Sequence, residues 1–554
     1  MMKYKIILVF FSLSFVVNAQ VAPNKYRIYF TDKTNTPYSI QNPENFLSER
    51  AIQRRINQNI PIIANDLPVD PVYVDSLISL GLEILNTSKW MNTAVVFSTD
   101  TALLDTIQNL GFVSDLYKSA LLYENKTTKN KFGYQIKNES FATDSFILFD
   151  YGAASNQIKM LNGHILHNQG FQGQGKIIAV IDAGFYHTDI LPAFDSLWAN
   201  NQIIGTRDFV DGGTVSFSGH THGMMVLSTI GANIPGEFIG TAPKAKFWLL
   251  RSEDGATEYV IEEDNWVSAA EFADSAGVDI INTSLGYNTF NDPSQNHTYS
   301  DLDGNTTVIS VGADIAASKG MLVVVSAGNS GGGSWQYVTA PADADSVLSV
   351  GAVDENEVYV GFSSTGPTPD GRIKPNVAAK GYGATIQSTG GQVSSGSGTS
   401  FASPIIAGMA ACLWQANTDL TNMEILHAIE ESSDQFFSPD SLKGYGVPDF
   451  AASNLVLQNI EYDDFYNENH TKTFPNPFTN QINIEFYSVD SQYINIVVVD
   501  LLGKIVKEYS VSLKLTSYNK VCLNNLQDLQ NGIYFVKIST NLRSYQSKLI
   551  KVSK

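Results

Sequence analysis

Three short segments carry side chains able to attack a carbonyl and to manage the proton that such an attack releases. The first closes an apolar run over residues 176–181 with Asp182-Ala183-Gly184. In an open parallel sheet, ligands and reactive groups collect at the carboxyl ends of strands. Taken alone, Asp182 also reads as a turn or helix-cap aspartate. The second segment is Ser218-Gly219-His220-Thr221-His222-Gly223. Two histidines at that spacing admit metal binding, yet no carboxylate or cysteine ligand pattern accompanies them. Gly223 and the apolar run 224–227 lead into a helix, which sets one imidazole at a helix start facing a cleft. The third segment, Gly396-Ser397-Gly398-Thr399-Ser400-Phe401-Ala402-Ser403-Pro404, runs into an apolar helix over 405–416. Small residues before Ser400 let a substrate backbone approach closely. A serine at the start of a buried helix also gains from the positive end of the helix dipole. A flexible glycine-serine linker would not enter a core helix directly.

These groups need a rigid frame. Continuous apolar runs at 176–181 and 321–325 predict central strands of a parallel sheet, buried on both faces. Helical stretches such as 267–276 lie between them, so right-handed crossovers with helices on both sides follow for a domain over 146–460.

Together the three segments resemble the active-site motifs of the subtilase (subtilisin-like) family, in that family's chain order of Asp, His and Ser. The resemblance covers roughly residues 150–455 and implies an α/β fold: a subtilisin-like three-layer α/β/α parallel sheet. It implies a secreted serine endopeptidase with Asp182, His222 and Ser400 as catalytic triad, acting on protein or peptide substrates through an acyl-enzyme. Val325-Ser326-Ala327-Gly328-Asn329 resembles the family's oxyanion loop, with Asn329 as side-chain donor beside the Ser400 backbone. Ser284-Leu285-Gly286 resembles the edge segment that pairs with extended substrate. Met224 departs from the pattern, standing where the family carries threonine after His-Gly. The register that would make His220 catalytic lacks the following glycine. The resemblance implies no required cofactor and no catalytic metal. Structural calcium is common in the family, but the sequence assigns it no ligands. Two other readings remain open: a catalytically inactive subtilisin-fold surface binding protein, and the sedolisin branch. The latter uses Glu and Asp where this chain has His222 and Asn329.

The flanks suggest an itinerary. Lys3 and Lys5 precede an apolar run over 6–17 and small residues near Ala19, the pattern of a signal peptide over 1–19. Residues 20–145 resemble a subtilase propeptide in place and size, an α+β prodomain and inhibitor of its own enzyme. Its strands and helices over 21–118 suggest a ferredoxin-like unit, with a helix over 42–56, and 119–145 read as an exposed linker. Residues 461–554 predict a β-sandwich. Phe474-Pro475-Asn476-Pro477-Phe478 and Asn531-Gly532-Ile533-Tyr534-Phe535-Val536 resemble the sorting domain read by the type IX secretion machinery of Bacteroidota. The expected destination is the cell surface or the medium. Gly170 to Lys176 is glycine-rich but precedes its strand, the wrong order for a phosphate loop.

Composition narrows the partners. The 554 residues carry a formal charge of -20, which leaves no basic face for nucleic acid. The two cysteines, Cys412 and Cys522, fall in different predicted domains, so no disulfide is expected. A monomer is the expected state.

Overall fold

The computed structural model describes residues 24–121, 131–132, 135–137, 149–458, 472–488, 493–501, 503–512, 517–539 and 544–553. The expected signal peptide over 1–19 lies outside them. A seven-stranded sheet forms the centre. Its order is Val377–Lys380, Leu348–Val353, Leu322–Ser326, Ile280–Thr283, Ile177–Asp182, Lys246–Arg251 and Ile203–Asp208. Every neighbouring pair in it is parallel.

Period-two alternation splits each central strand between two cores. Ile178 and Val180 point into a cluster shared with the helices His222–Gly231 and Thr399–Ala416. Ile177, Ala179 and Ile181 face the opposite cluster, packed under Ile261–Ala276 and Val308–Ser318. The result is the expected α/β/α sandwich.

The N-terminal unit is a four-stranded antiparallel sheet in the order Glu83–Ser88, Thr93–Ser98, Asn24–Phe30, Val113–Leu121. Helices Pro71–Ser79 and Thr101–Gln108 supply Leu77, Leu104 and Ile107 to one face. The helix expected over 42–56 is broken. Ser48 caps a helix that begins only at Glu49, its Oγ accepting the Ala51 N–H at 3.2 Å, and Pro43–Asn45 forms a separate turn. On the sheet's other face, Val95 packs against Tyr259 and Ile261 of the central domain.

At the other end, a three-stranded and a four-stranded antiparallel sheet enclose one core. Ile482, Ile484 and Leu523 come from one sheet and Ile496, Val498, Val536 and Leu549 from the other, a β-sandwich as expected. Cys412 is buried, Cys522 is exposed, and neither is paired. Among the described residues, no helix is long and apolar enough to cross a membrane.

Candidate active site

Asp182 ends the buried strand Ile177–Asp182, and His222 opens the buried helix His222–Gly231. Although 40 residues apart, they meet: His222 Nδ1–H donates to Asp182 Oδ1 at 2.8 Å and approaches Oδ2 at 3.0 Å. A carboxylate on Nδ1 fixes that tautomer and leaves Nε2 as the ring's basic atom. The glycine after the histidine has a steric reason. A Cβ on Gly223 would lie 2.6 Å from the Gly184 carbonyl oxygen and 2.9 Å from Asp182 Cβ. His220 does different work. Its Nδ1 accepts the His222 backbone N–H at 3.2 Å, satisfying one of the orphan donors at the helix start. Met224 is fully buried in the core cluster beneath the sheet.

Ser400 is the second residue of the helix Thr399–Ala416 and is 3% exposed. Pro404 stands four positions on and has no N–H, so the Ser400 carbonyl lacks its helical partner. The Ser284 hydroxyl supplies one instead at 2.9 Å. In return Ser400 Oγ donates to the Ser284 carbonyl at 3.2 Å. Asn282 braces the pair, donating to Ser284 Oγ at 3.1 Å and accepting from Ser403 Oγ at 3.0 Å.

Asn329 follows the strand Leu322–Ser326 through Gly328, whose φ of +106° favours glycine. The Thr399 backbone N–H and hydroxyl donate to Asn329 Oδ1 at 2.9 and 3.0 Å. A backbone N–H can only donate, so the amide's orientation is fixed and Nδ2 points into the cleft. Ser284, Leu285, Gly286 and Asn329 line one cavity with Ser400.

Residues 25–133 match the family model described as the Peptidase S8 propeptide domain, Bacteroidota, and 173–447 match that of the Subtilase family. Residues 472–552 match the Secretion system C-terminal sorting domain. Serine protease AprX of Bacillus subtilis (strain 168) is 30% identical over 322 residues, covering 53% of this chain and 68% of that protein. The chain belongs to the subtilase family. Subtilisin of Bacillus pumilus is 32% identical over 284 residues, 50% of this chain and 90% of the relative. Subtilisin E of Bacillus subtilis (strain 168) is also 32% identical over 284 residues, 50% of this chain and 65% of the relative. The protein is thus a subtilisin-like serine endopeptidase with a propeptide and a secretion-sorting domain, which fits a secreted or cell-surface peptidase.

The subtilase's propeptide sits on the acidic helix Ile261–Ala276. Asp274 receives Arg54 at 2.5 Å, Arg55 at 2.8 Å and Lys89 at 3.2 Å. Glu271 accepts from the Lys89 and Trp90 backbone N–H groups at 2.9 Å each, and Arg27 pairs with Asp264. Burial pushes the Asp274 carboxyl up, but Lys89, Arg54 and Arg55 outweigh it and hold the group at about 2.

The stretch expected as an exposed linker is corrected at its middle. Phe132 is buried, its ring stacked on the His222 imidazole at 4.0 Å and 14°. Its carbonyl accepts the Asn329 Nδ2–H at 2.7 Å. Lys131 Nζ sits among Glu253, Glu258 and Glu262. Beyond the cleft, Gln135–Lys137 pairs antiparallel with Val393–Ser397, the strand leading to Ser400. Sequence reasoning missed these five residues and the capping role of His220. The available signal was a lysine-aromatic pair inside a polar run, together with a loop and helix start unusually rich in glutamate.

Proposed function

We propose that the enzyme hydrolyses peptide bonds through an acyl-enzyme, with Ser400 as nucleophile, His222 as general base and acid, and Asp182 as the group that orients it. The observation that carries this reading is the 2.8 Å hydrogen bond from His222 Nδ1 to a buried aspartate at the end of a strand, opposite a helix-start serine. Neutral His222 takes the Ser400 proton as Oγ attacks the carbonyl, then passes that proton to the leaving amine. Asp182 stabilises the imidazolium formed between the two transfers. Asn329, held by Thr399, donates to the developing oxyanion; such a donor is typically worth about 10²–10³ in turnover.

The same geometry supports an inhibited precursor. Phe132 covers the imidazole and occupies the Asn329 amide, while the Ser400 hydroxyl is turned to the Ser284 carbonyl. Attack on a substrate requires that hydroxyl to turn to His222, and the propeptide segment must leave first. The sorting domain supports export by the type IX machinery to the surface or medium. Ending the chain after His470 is expected to trap the protein in the periplasm. The direct test is Ser400→Ala: the variant is expected to fold and to cleave no casein, and unchanged cleavage refutes the assignment.

A further inference from the structure

Three glutamates surround the Lys131 ammonium group: Glu253 at 2.5 Å, Glu262 at 2.7 Å and Glu258 at 3.1 Å. The carbonyls of Thr257 and Asp254, at 2.9 and 3.4 Å, complete the cage. Glu253 and Glu262 are buried, and ligand oxygens of the three lie within 4.8 Å of one another. Among the described residues, Glu253 Oε1 has no hydrogen-bond partner. Burial pushes all three carboxyls up, Glu258 to about 8, against the pull of Lys131. Burial also works against the ammonium form, but the glutamates raise Lys131 well above the usual lysine value. Carboxylates this close and this dry repel one another unless a cation stands between them.

The cage belongs wholly to the catalytic domain. Glu253 and Glu258 lie on the loop after the strand Lys246–Arg251, and Glu262 lies in the first turn of the helix Ile261–Ala276. Its occupant belongs to the propeptide and directly precedes Phe132, whose carbonyl is held by Asn329. Departure of the propeptide therefore removes the cation and leaves the carboxyl groups in place.

We propose that in the mature enzyme this cage is a subsite for a substrate lysine, at the residue immediately before the one whose carbonyl Asn329 holds. The inference rests on the reading of Ser400 and Asn329 given above. Lysine suits it better than arginine. The cage closes around one point, matching a compact ammonium with three donors, whereas a planar guanidinium seeks paired acceptors side by side.

The test is a peptide library digested by the enzyme that the full-length chain releases after self-processing. Peptides with lysine at that position are expected to be cleaved with kcat/KM at least about 30-fold above those with norleucine, the low end for a buried charge pair. In the full chain carrying Glu253→Gln and Glu262→Gln, that ratio is expected to fall near one while norleucine peptides are still cut. Should this variant fail to mature, Lys131→Met replaces it: self-processing slows at least about 10-fold, and the released enzyme keeps its lysine preference. A library profile with cleavage but no lysine preference overturns the inference alone. So does an unchanged ratio in the glutamine variant with loss of calcium-dependent stability, which would mark a metal site. No cleavage of any peptide removes both the inference and the reading of Ser400 beneath it.

Discussion

Replacing Asp274 by asparagine takes one negative charge from under three propeptide cations while keeping the side chain's shape. Asp274 is fully buried and accepts from Arg54, Arg55 and Lys89. Removing one member of a buried charge cluster costs about 3–5 kcal/mol, largely because the remaining charges lose their partner out of water. Asparagine keeps one acceptor oxygen, so the lower figure is the better guide; about 3 kcal/mol corresponds to a dissociation constant on the order of 10²-fold weaker. The assay is a dilution series of the processed but unseparated complex, with peptidase activity reporting the propeptide that has left. The pH dependence has a fixed sign. The Asp274 carboxyl is held down at about 2 from its ordinary value of 3.8. Its contribution to binding is therefore complete above 3.8 and is lost as pH falls through that value toward 2. The gap between wild type and Asp274→Asn should stay constant from neutral pH down to about 4 and then close. An unchanged dissociation constant, or a gap that closes above pH 5, would show that the cluster does not hold the inhibitor in place.

Three further outcomes follow from the geometry. Gly223→Ala is expected to leave the protein folded yet cost about 10² in kcat, because the new methyl group must displace either His222 or Asp182; kinetics beside circular dichroism check this. Asn329→Ala should lower kcat by about 10²–10³ with little change in KM, measured by steady-state kinetics on one peptide. Burial holds His167 down at about 4, with Tyr151 O–H donating to Nδ1 at 2.9 Å and Nε2–H donating to the Thr241 carbonyl at 2.9 Å. The ring stays neutral in the fold while the unfolded chain protonates below about 6.5. Stability from this group is thus present above that pH and is lost as pH falls toward 4, by about 3 kcal/mol in all. Denaturant unfolding of Ser400→Ala, with and without His167→Asn, should show a shallower acid slope in the doubly substituted protein.

Most of the catalytic frame was legible because its signals are local. An apolar run ending in Asp182, a glycine after His222 and a small-residue turn into the Ser400 helix each report their own backbone. The steric reason for Gly223 and the role of Pro404 in freeing the Ser400 carbonyl became visible only in three dimensions. The helix Ile261–Ala276 carries Glu262, Glu263, Asp264, Glu271 and Asp274, charges that a sequence assigns to a solvated face; here the propeptide pairs with four of them, and His297 of the catalytic domain holds Glu263. Residues 124–131 are polar and aperiodic, which reads as exposed linker, yet Lys131 and Phe132 are held by partners more than 80 residues away in the chain. Composition cannot report such contacts. Ser48 likewise outranked helix propensity across 42–56, since its hydroxyl caps a helix starting one residue later.

We propose Ser400 as the nucleophile, activated by His222 and Asp182. The most direct test is to treat the processed enzyme with a fluorophosphonate and locate the adduct by mass spectrometry. One covalent adduct on Ser400, accompanied by loss of peptidase activity, is the expected result. Full labelling of a different residue, or inactivation with Ser400 unmodified, would contradict the account.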